Sequence, residues 1–277
     1  MITQPHVKIN LGLNVLRKRP DGYHDLETLF VPCHDLHDTL EIVTGEDYSR
    51  TLAGLRERYG SLTQAISPDG KLMVTLARRE GIDWDPLKDL CAKAYSLLSQ
   101  DFQLPPMKIF LEKTSPVGAG LGGGSADAAF ALKMMASLAG LPLDDAQLAA
   151  YAAALGSDCA FFLYDRPMFG SGRGEVLEPF DLSLEGWKLK VVVPEGVAVS
   201  TADAYRGIVP RLPQKTLREI LRQDPSTWRE TLVNDFETTV FQKYPQLPAV
   251  KEKLYAEGAV YAAMSGSGSA FFGIFPA

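Results

Sequence analysis

The chain has 277 residues, 46% of them hydrophobic and 22% charged, with a formal net charge of −6. At ~100–200 residues per domain, that length predicts one large domain or two ordinary ones, enough to bury a sizeable core. The 24 glycines and 18 prolines follow no repeat period, which excludes a collagen-like or low-complexity chain, and the acidic balance excludes a broad nucleic-acid surface, though not phosphates held in a local nest of backbone N–H groups.

The first ten residues carry no basic segment ahead of an apolar core, and Lys8 interrupts the apolar stretch, so no signal peptide is expected. No apolar run approaches the ~20 residues of a membrane helix, and no membrane partner is expected. Val7, Ile9, Leu11, Leu13 and Val15 alternate with Lys8, Asn10, Gly12 and Asn14, which predicts a half-buried strand with an ammonium and two amides on its polar face. Arg19-Pro-Asp-Gly22 reads as a turn, a second strand follows from about Leu26, and a third covers Thr39–Val43. Residues 44–85 are least legible: 48–59 reads as helical, Ser67-Pro-Asp-Gly70 as a turn, and 72–79 as either helix or strand. Apolar spacing predicts a helix over Leu87–Leu98, and alternation predicts a strand over 107–112. Five glycines crowd into residues 118–124, then a helix is expected over Ala126–Ala139, stopping at Gly140. A further helix over Asp144–Ala154 ends at Gly156. Cys159–Tyr164, Met168–Val176, Lys188–Val193, Gly258–Met264 and Ala270–Phe275 read as strands, the last two flanking a tight Ser265–Ser269 loop. Cys33, Cys91 and Cys159 are far apart and form no CxxC pair, which predicts a reduced, cytoplasmic protein with no disulfide framework and no zinc site. A domain boundary is placed near residue 165.

A strand, a glycine-rich loop and a helix start make an anion site, because glycines let N–H groups point inward and the helix dipole adds roughly half a positive charge. The loop is not a P-loop, since Gly124 rather than Lys precedes Ser125. Gly118-Ala-Gly-Leu-Gly-Gly123 fits GxGxxG, but Ala139-Gly-Leu-Pro142 stands where an acidic ribose ligand should end a second strand. Asp158, at the mouth of an apolar segment, reads as either a cap or a poised base. Tyr23-His24, after a Pro-Asp-Gly turn, has the chemistry to stack on and hydrogen-bond a base. Cys33-His34-Asp35-Leu36-His37-Asp38 has metal-ligand residue types, but its surroundings read as extended and no distant ligand cluster accompanies it, so no metal is expected there. The hydroxyls and N–H groups of Ser265–Ser269 suit a phosphate or a polar substrate.

These segments resemble, in order, those of the GHMP kinase family. The carrying residues are Lys8-Ile-Asn-Leu11, Arg19-Pro-Asp-Gly-Tyr-His24 with Thr28-Leu-Phe30, the Pro116–Ser125 loop, Leu155-Gly-Ser-Asp158, Asn234-Asp-Phe-Glu237 and Met264-Ser-Gly-Ser-Gly-Ser269, covering nearly the whole chain apart from 44–85. The resemblance implies an α+β, two-domain GHMP kinase fold. An N-terminal ATP-binding domain like domain 2 of ribosomal protein S5 would cover residues 1–165. A ferredoxin-like C-terminal domain would cover 166–277, with a cleft between them. Asp21-Gly-Tyr-His24 narrows the resemblance to the branch that phosphorylates, with ATP and Mg²⁺, the tertiary 2-hydroxyl of a cytidine diphosphate-linked methylerythritol in non-mevalonate isoprenoid biosynthesis. The resemblance makes Asp158 the catalytic acid–base residue and Lys8 its partner. It assigns ATP binding to Pro116, Val117, Gly118, Ala119, Gly120, Leu121, Gly122, Gly123, Gly124, Ser125 and Ala126, with Asp89 and Lys113 as nucleotide contacts. Asn10, Tyr23, His24, Ser265 and Gly266 would line the substrate pocket. No nucleic acid and no obligate protein partner is implied. The chain departs from the family pattern at Ala126, Asp127, Ala160 and Asp89, where relatives often carry Ser, Asn, Pro and Asn. Three rivals remain at this stage: a sibling kinase for mevalonate derivatives, homoserine or a sugar; a catalytically silent nucleotide sensor; and a dinucleotide oxidoreductase.

Overall fold

A computed structural model describes every residue from 1 to 277. The chain opens with strands β1 (Ile2–Thr3), β2 (His6–Lys18), β3 (His24–His37) and β4 (Thr39–Thr44). Helix α1 (Leu52–Tyr59), strands β5 (Thr63–Ile66) and β6 (Leu72–Arg78), helix α2 (Leu90–Asp101) and strand β7 (Met107–Lys113) follow. The glycine-rich loop leads into α3 (Gly123–Leu138), then α4 (Asp145–Leu155). After them come β8 (Met168–Ser171), β9 (Val176–Pro179), β10 (Trp187–Val192), α5 (Thr201–Tyr205) and α6 (Leu217–Leu221). The chain closes with α7 (Phe236–Lys243), α8 (Pro248–Ala256), β11 (Tyr261–Met264) and β12 (Phe271–Pro276). No helix is long and apolar enough to cross a membrane.

Two units share the chain. The first comprises Met1–Val7, Cys33–Val117 and Gly122–Asp165; the second comprises Lys8–Pro32, Gly118–Leu121 and Arg166–Ala277. The first holds a five-stranded sheet in the order β1-β4-β7-β6-β5, antiparallel except where β6 runs parallel to β7. Helix α3 packs on α2 and α4 and against β4. Its Ala126, Ala128, Ala129 and Ala131 are fully buried, and such short side chains let the neighbouring helices approach closely. In the second unit β12 is the middle strand of a three-stranded antiparallel sheet, β10-β12-β11, with α8 packed against β11 and β12. Its core joins Leu13 and Val15 of β2 to Phe236, Val240, Leu254 and Phe271. Each such side chain, removed from water, contributes about 1.5–3 kcal/mol. A four-stranded sheet runs β2-β3-β8-β9.

Local chemistry explains the helix starts. Asp89 caps α2 by accepting from the Cys91 N–H, and Asp144 and Gln147 form a reciprocal capping box on α4. No side chain caps α3; Gly122, left-handed at φ 73°, precedes it, and the helix takes in Gly123 and Gly124 rather than beginning at Ala126. Two expected strands differ. Cys159–Leu163 is a 3₁₀ helix packed on α3 and α4; Cys159, Ala160, Phe161 and Phe162 are all buried, and an unbroken apolar run carries no period to separate strand from helix. The expected strand over Met168–Val176 is a hairpin instead, β8 and β9 being split by a turn in which Gly172 and Gly174 have φ of 69° and 108°. Strand β2 is buried on both faces from His6 to Val15 rather than half-buried, because its polar side chains find partners.

Candidate active site

The second unit gathers ten of the site residues named from sequence: Lys8, Asn10, Tyr23, His24, Gly118–Leu121, Ser265 and Gly266. Lys8 is 2% exposed, and its ammonium donates to Asn10 Oδ1 at 2.5 Å and to the Gly120 carbonyl at 3.0 Å. It also lies 5.4 Å from the centre of the Phe30 ring. The Asn10 amide donates to Thr28 Oγ1, whose hydroxyl passes a hydrogen bond to the Gly12 carbonyl. The Asn10 backbone N–H donates to Ser265 Oγ, and the Ser265 hydroxyl is in turn 3.2 Å from the Gly120 carbonyl. The backbone of Gly118–Leu121 is thus held on two sides: the Lys8 N–H donates to the Leu121 carbonyl and the Ala270 N–H to that of Ala119. A Cβ on Gly120 would sit 2.3 Å from the Ser265 carbonyl oxygen, and one on Gly266 would sit 2.9 Å from Asn10 Oδ1. At these positions glycine is required by close approach as well as by positive φ. The fold brings Lys8, Asn10 and Ser265 into one hydrogen-bonded cluster, with Gly266 packed against Asn10.

The same unit holds an aromatic corner. Tyr23 is 56% exposed, with the Arg173 guanidinium 4.9 Å from its ring centre. The His24 ring stacks on Tyr205 with centroids 4.9 Å apart and planes inclined by 21°. Desolvation, aided by the Lys18 charge, lowers the His24 pKa, which favours the neutral, stacking imidazole. Tyr205 itself stands edge-on to Phe236. Tyr205 escaped the sequence reading because it lies in an isolated short helix 181 positions from His24, with no motif around it.

In the first unit Asp158 is half-buried at the N-terminus of the 3₁₀ helix Cys159–Leu163. Ser125, in the first turn of α3, hydrogen-bonds the Cys159 side chain. Burial pushes the Cys159 thiol up to about 11, so it stays protonated and is not a nucleophile. Asp89 accepts from the Cys91 N–H and the Trp84 indole, and Leu90 beside it lies against the Gly124 backbone. Lys113 is buried below the glycine run, ion-paired with Asp38 and Asp127. Asp38, fully buried, also accepts from the Thr114 and Ser115 N–H groups and the Ser115 hydroxyl. These bonds fix the chain as it enters the loop through Pro116 and Val117. A Cβ on Gly123 would meet Ser115 Oγ at 2.7 Å, so Gly123 and Ser115 are locked face to face. Burial raises the Asp127 pKa well above the usual carboxylate value; Lys113 opposes the shift and Asp38 adds to it. Asp38 was read from sequence only as part of a metal-like string; its signal lay in pairing with Lys113, 75 residues away. Ala126 is buried in α3.

The quoted Asn234-Asp-Phe-Glu237 motif also finds a structural use. Asn234 donates to the Met264 and Gly266 carbonyls at 2.8 Å each, Glu237 accepts from the Met264 N–H, and Asp235 accepts from the Val15 N–H. The motif therefore braces the Ser265–Ser269 loop and the strand carrying Lys8.

Comparisons with known proteins agree with this architecture. Residues 89–166 match the family model for the GHMP kinases N terminal domain, and residues 216–277 match that for GHMP kinases C terminal. A 4-diphosphocytidyl-2-C-methyl-D-erythritol kinase from Bacteroides fragilis is 48% identical over 99% of this chain and 92% of its own length. The kinase of the same name from Nitratidesulfovibrio vulgaris is 34% identical over 97% of this chain and 87% of its own. A crystal structure of 4-(cytidine 5'-diphospho)-2C-methyl-D-erythritol kinase superimposes with a TM-score of 0.76 at 33% identity, covering 99% of this chain and 89% of that one. Mevalonate kinase from Methanococcus jannaschii shares the fold at a TM-score of 0.64 and 12% identity, with 99% and 90% covered.

Proposed function

The chain belongs to the GHMP kinase family, and on that footing we infer that it uses ATP to phosphorylate the 2-hydroxyl of 4-diphosphocytidyl-2-C-methyl-D-erythritol, giving the 2-phosphate and ADP. The observation that carries this reading is full-length identity to kinases of that name in a chain that keeps Lys8, Asp158, the glycine-rich loop and Asp21-Gly-Tyr-His24. The reaction belongs to the non-mevalonate route to isoprenoids, and the three buried free cysteines support a reducing, cytoplasmic setting.

Phosphoryl transfer is chiefly positioning and charge stabilisation. The 2-hydroxyl oxygen attacks the γ-phosphorus, its proton passes to the Asp158 carboxylate, and the bond from the γ-phosphorus to the bridging oxygen breaks to release ADP. The Lys8 ammonium, fixed by Asn10 and Gly120, orients the acceptor hydroxyl and offsets the developing charge. The unpaired N–H groups of the uncapped α3 start and the left-handed glycines before it suit the ATP phosphates. Lys113 serves by holding Asp38 rather than by touching nucleotide, and Asp89 shapes the start of α2 beside Gly124. Mg²⁺ takes hard oxygen ligands, and the half-buried Ser125 hydroxyl at the start of α3 would hold it together with the ATP phosphate oxygens. When bound, the ion neutralises phosphate charge. His24 and Tyr205, with Tyr23, form the surface on which the cytosine stacks.

The test is ADP release with Mg·ATP and the cytidylated substrate, beside the same alcohol lacking cytidine. Turnover is expected only with the former, and Asp158→Asn should lower it about 10²–10⁴-fold while ATP still binds. Equal turnover with both alcohols, or turnover only with mevalonate or homoserine, would move the enzyme to another branch of the family.

A further inference from the structure

His6, His34 and Asp165 come together within the first unit, and none of them is among the site residues named above. Their donor atoms all lie within 4.8 Å of one another. His6 begins β2, His34 lies in β3, and Asp165 follows the 3₁₀ helix that starts after Asp158. Asp165 Oδ1 is 2.7 Å from His34 Nε2 and 3.1 Å from His6 Nε2.

The protonation pattern at His6 matters most. Its Nδ1 is 3.0 Å from the Val7 carbonyl, which can only accept, so Nδ1 carries the hydrogen. In the neutral ring Nε2 then presents a lone pair. That atom is buried and makes no hydrogen bond, and the nearest polar group is a carboxylate oxygen, a second acceptor. Leaving a buried acceptor opposed to an anion is costly, and a cation between them satisfies both. Phe130 and Phe162 pack around the ring with centroids 5.7 Å away, and the His34 ring sits at 4.4 Å, so His6 cannot turn away. Asp165 is the one non-glycine residue with positive φ, 48°, a strained backbone held where its carboxylate meets both rings.

We propose that His6, His34 and Asp165 form a binding site for a divalent transition-metal ion of the zinc class. Two imidazole nitrogens and one carboxylate oxygen are a zinc-type donor set, with Cu²⁺, Ni²⁺ and Co²⁺ as competitors, whereas Mg²⁺ prefers oxygen alone. Tetrahedral zinc with bonds of ~2.0–2.1 Å separates its ligands by about 3.3 Å. His34 and Asp165 side chains are each 60% exposed and free to open to that spacing, while buried His6 provides the fixed ligand. The Nδ1–H to carbonyl bond is the outer contact that usually sets the tautomer of a metal-binding histidine. The fourth position is left to water, on the side where His34 and Asp165 meet solvent. The ion ties the starts and ends of three chain segments, and it stabilises the first unit by favouring the folded form.

The test uses full-length, untagged protein stripped with a chelator. Zn²⁺ alone is titrated at low-micromolar concentration, bound metal is counted after dialysis, and Co²⁺ is substituted to read its visible absorption. One ion per chain, a tetrahedral Co²⁺ spectrum and a raised melting temperature are expected, all unaffected by excess Mg²⁺. His34→Ala and Asp165→Asn, both at exposed positions, should lose the spectrum and weaken binding by more than tenfold, while His37→Ala should keep both. No binding by the wild type, or equal binding by His34→Ala and Asp165→Asn, overturns the proposal. So does a histidine–carboxylate cluster that alters only the pH dependence of melting and takes up no metal.

Discussion

In the proposed function Tyr205 shares with His24 the holding of the base. His24 and Tyr23 follow a turn signal in the sequence, but a stacked pair needs both members, and the partner of His24 comes from α5. Stacking one base on an aromatic ring is worth ~1–3 kcal/mol, so Tyr205→Ala should raise KM for the cytidylated substrate about 10–100-fold. Tyr205→Phe should restore it, and KM for ATP should not move. Steady-state kinetics with each substrate varied in turn reads this directly; a parallel rise in both KM values would mean that α5 had simply lost its packing on α7. The burial of Lys8 was not legible, since the alternation put it on the polar face of a half-buried strand. An ammonium inside a strand of branched apolar residues is costly unless partnered, and the partners, Asn10 and the Gly120 carbonyl, are what the fold supplies.

The helices and strands that frame the glycine loop depend on one buried cluster. Asp38 accepts from Lys113, Thr114 and Ser115, so Asp38→Asn should cost about 1–3 kcal/mol by leaving Lys113 with Asp127 as its single carboxylate partner, and should raise KM for ATP by loosening the loop. Asp127→Asn should behave otherwise. Burial raises the Asp127 pKa, so the folded state holds that proton more tightly than the unfolded chain does. Its contribution to stability is therefore greatest at low pH and declines as pH rises above the ordinary carboxylate range of about 4. Asn cannot ionise, so the stability of Asp127→Asn relative to the wild type should increase between about pH 5 and about pH 8, as urea melts at the two pH values would show. An unchanged difference would place the ionisation of Asp127 outside that window. Elements with a clear period were legible, β4 and β7 with boundaries within a residue of those seen, while β2 runs three residues beyond the alternation that ends at Val15. Cys159–Leu163 was not, because four adjacent buried side chains look alike to either geometry. Residues 44–85 were obscure because their anchors are long-range and polar: Glu41 gathers Ser49, Arg50 and Thr51, while Glu112 receives Arg58 and Tyr59.

The whole molecule relies on strands distant in sequence. β12 pairs along its length with β10 and along β11 as well, so ending the chain after Ala270 removes the ladder partner of both. That truncation should leave the second unit without a cooperative melt, seen by calorimetry as loss of unfolding heat; a retained sharp transition would mean that the sheet does not organise this unit. The family resemblance spanned both units from a handful of motifs. The allocation of chain to unit was beyond local pattern, since Lys8–Pro32 and Gly118–Leu121 belong with the C-terminal residues.

That allocation sets a timetable for biosynthesis. The strand bearing Lys8 leaves the ribosome well before its partner, since the hydroxyl that accepts the Asn10 N–H lies 255 residues later. At ~5–20 residues per second, translation leaves that strand waiting roughly 10–50 s for its neighbours. Through that interval the nascent chain exposes branched apolar side chains and an unfinished strand edge. Exchanging only the C-terminal half between related enzymes would split one unit across two parents, so chimeras should fold only when residues 8–32 and 118–121 travel with residues 166–277.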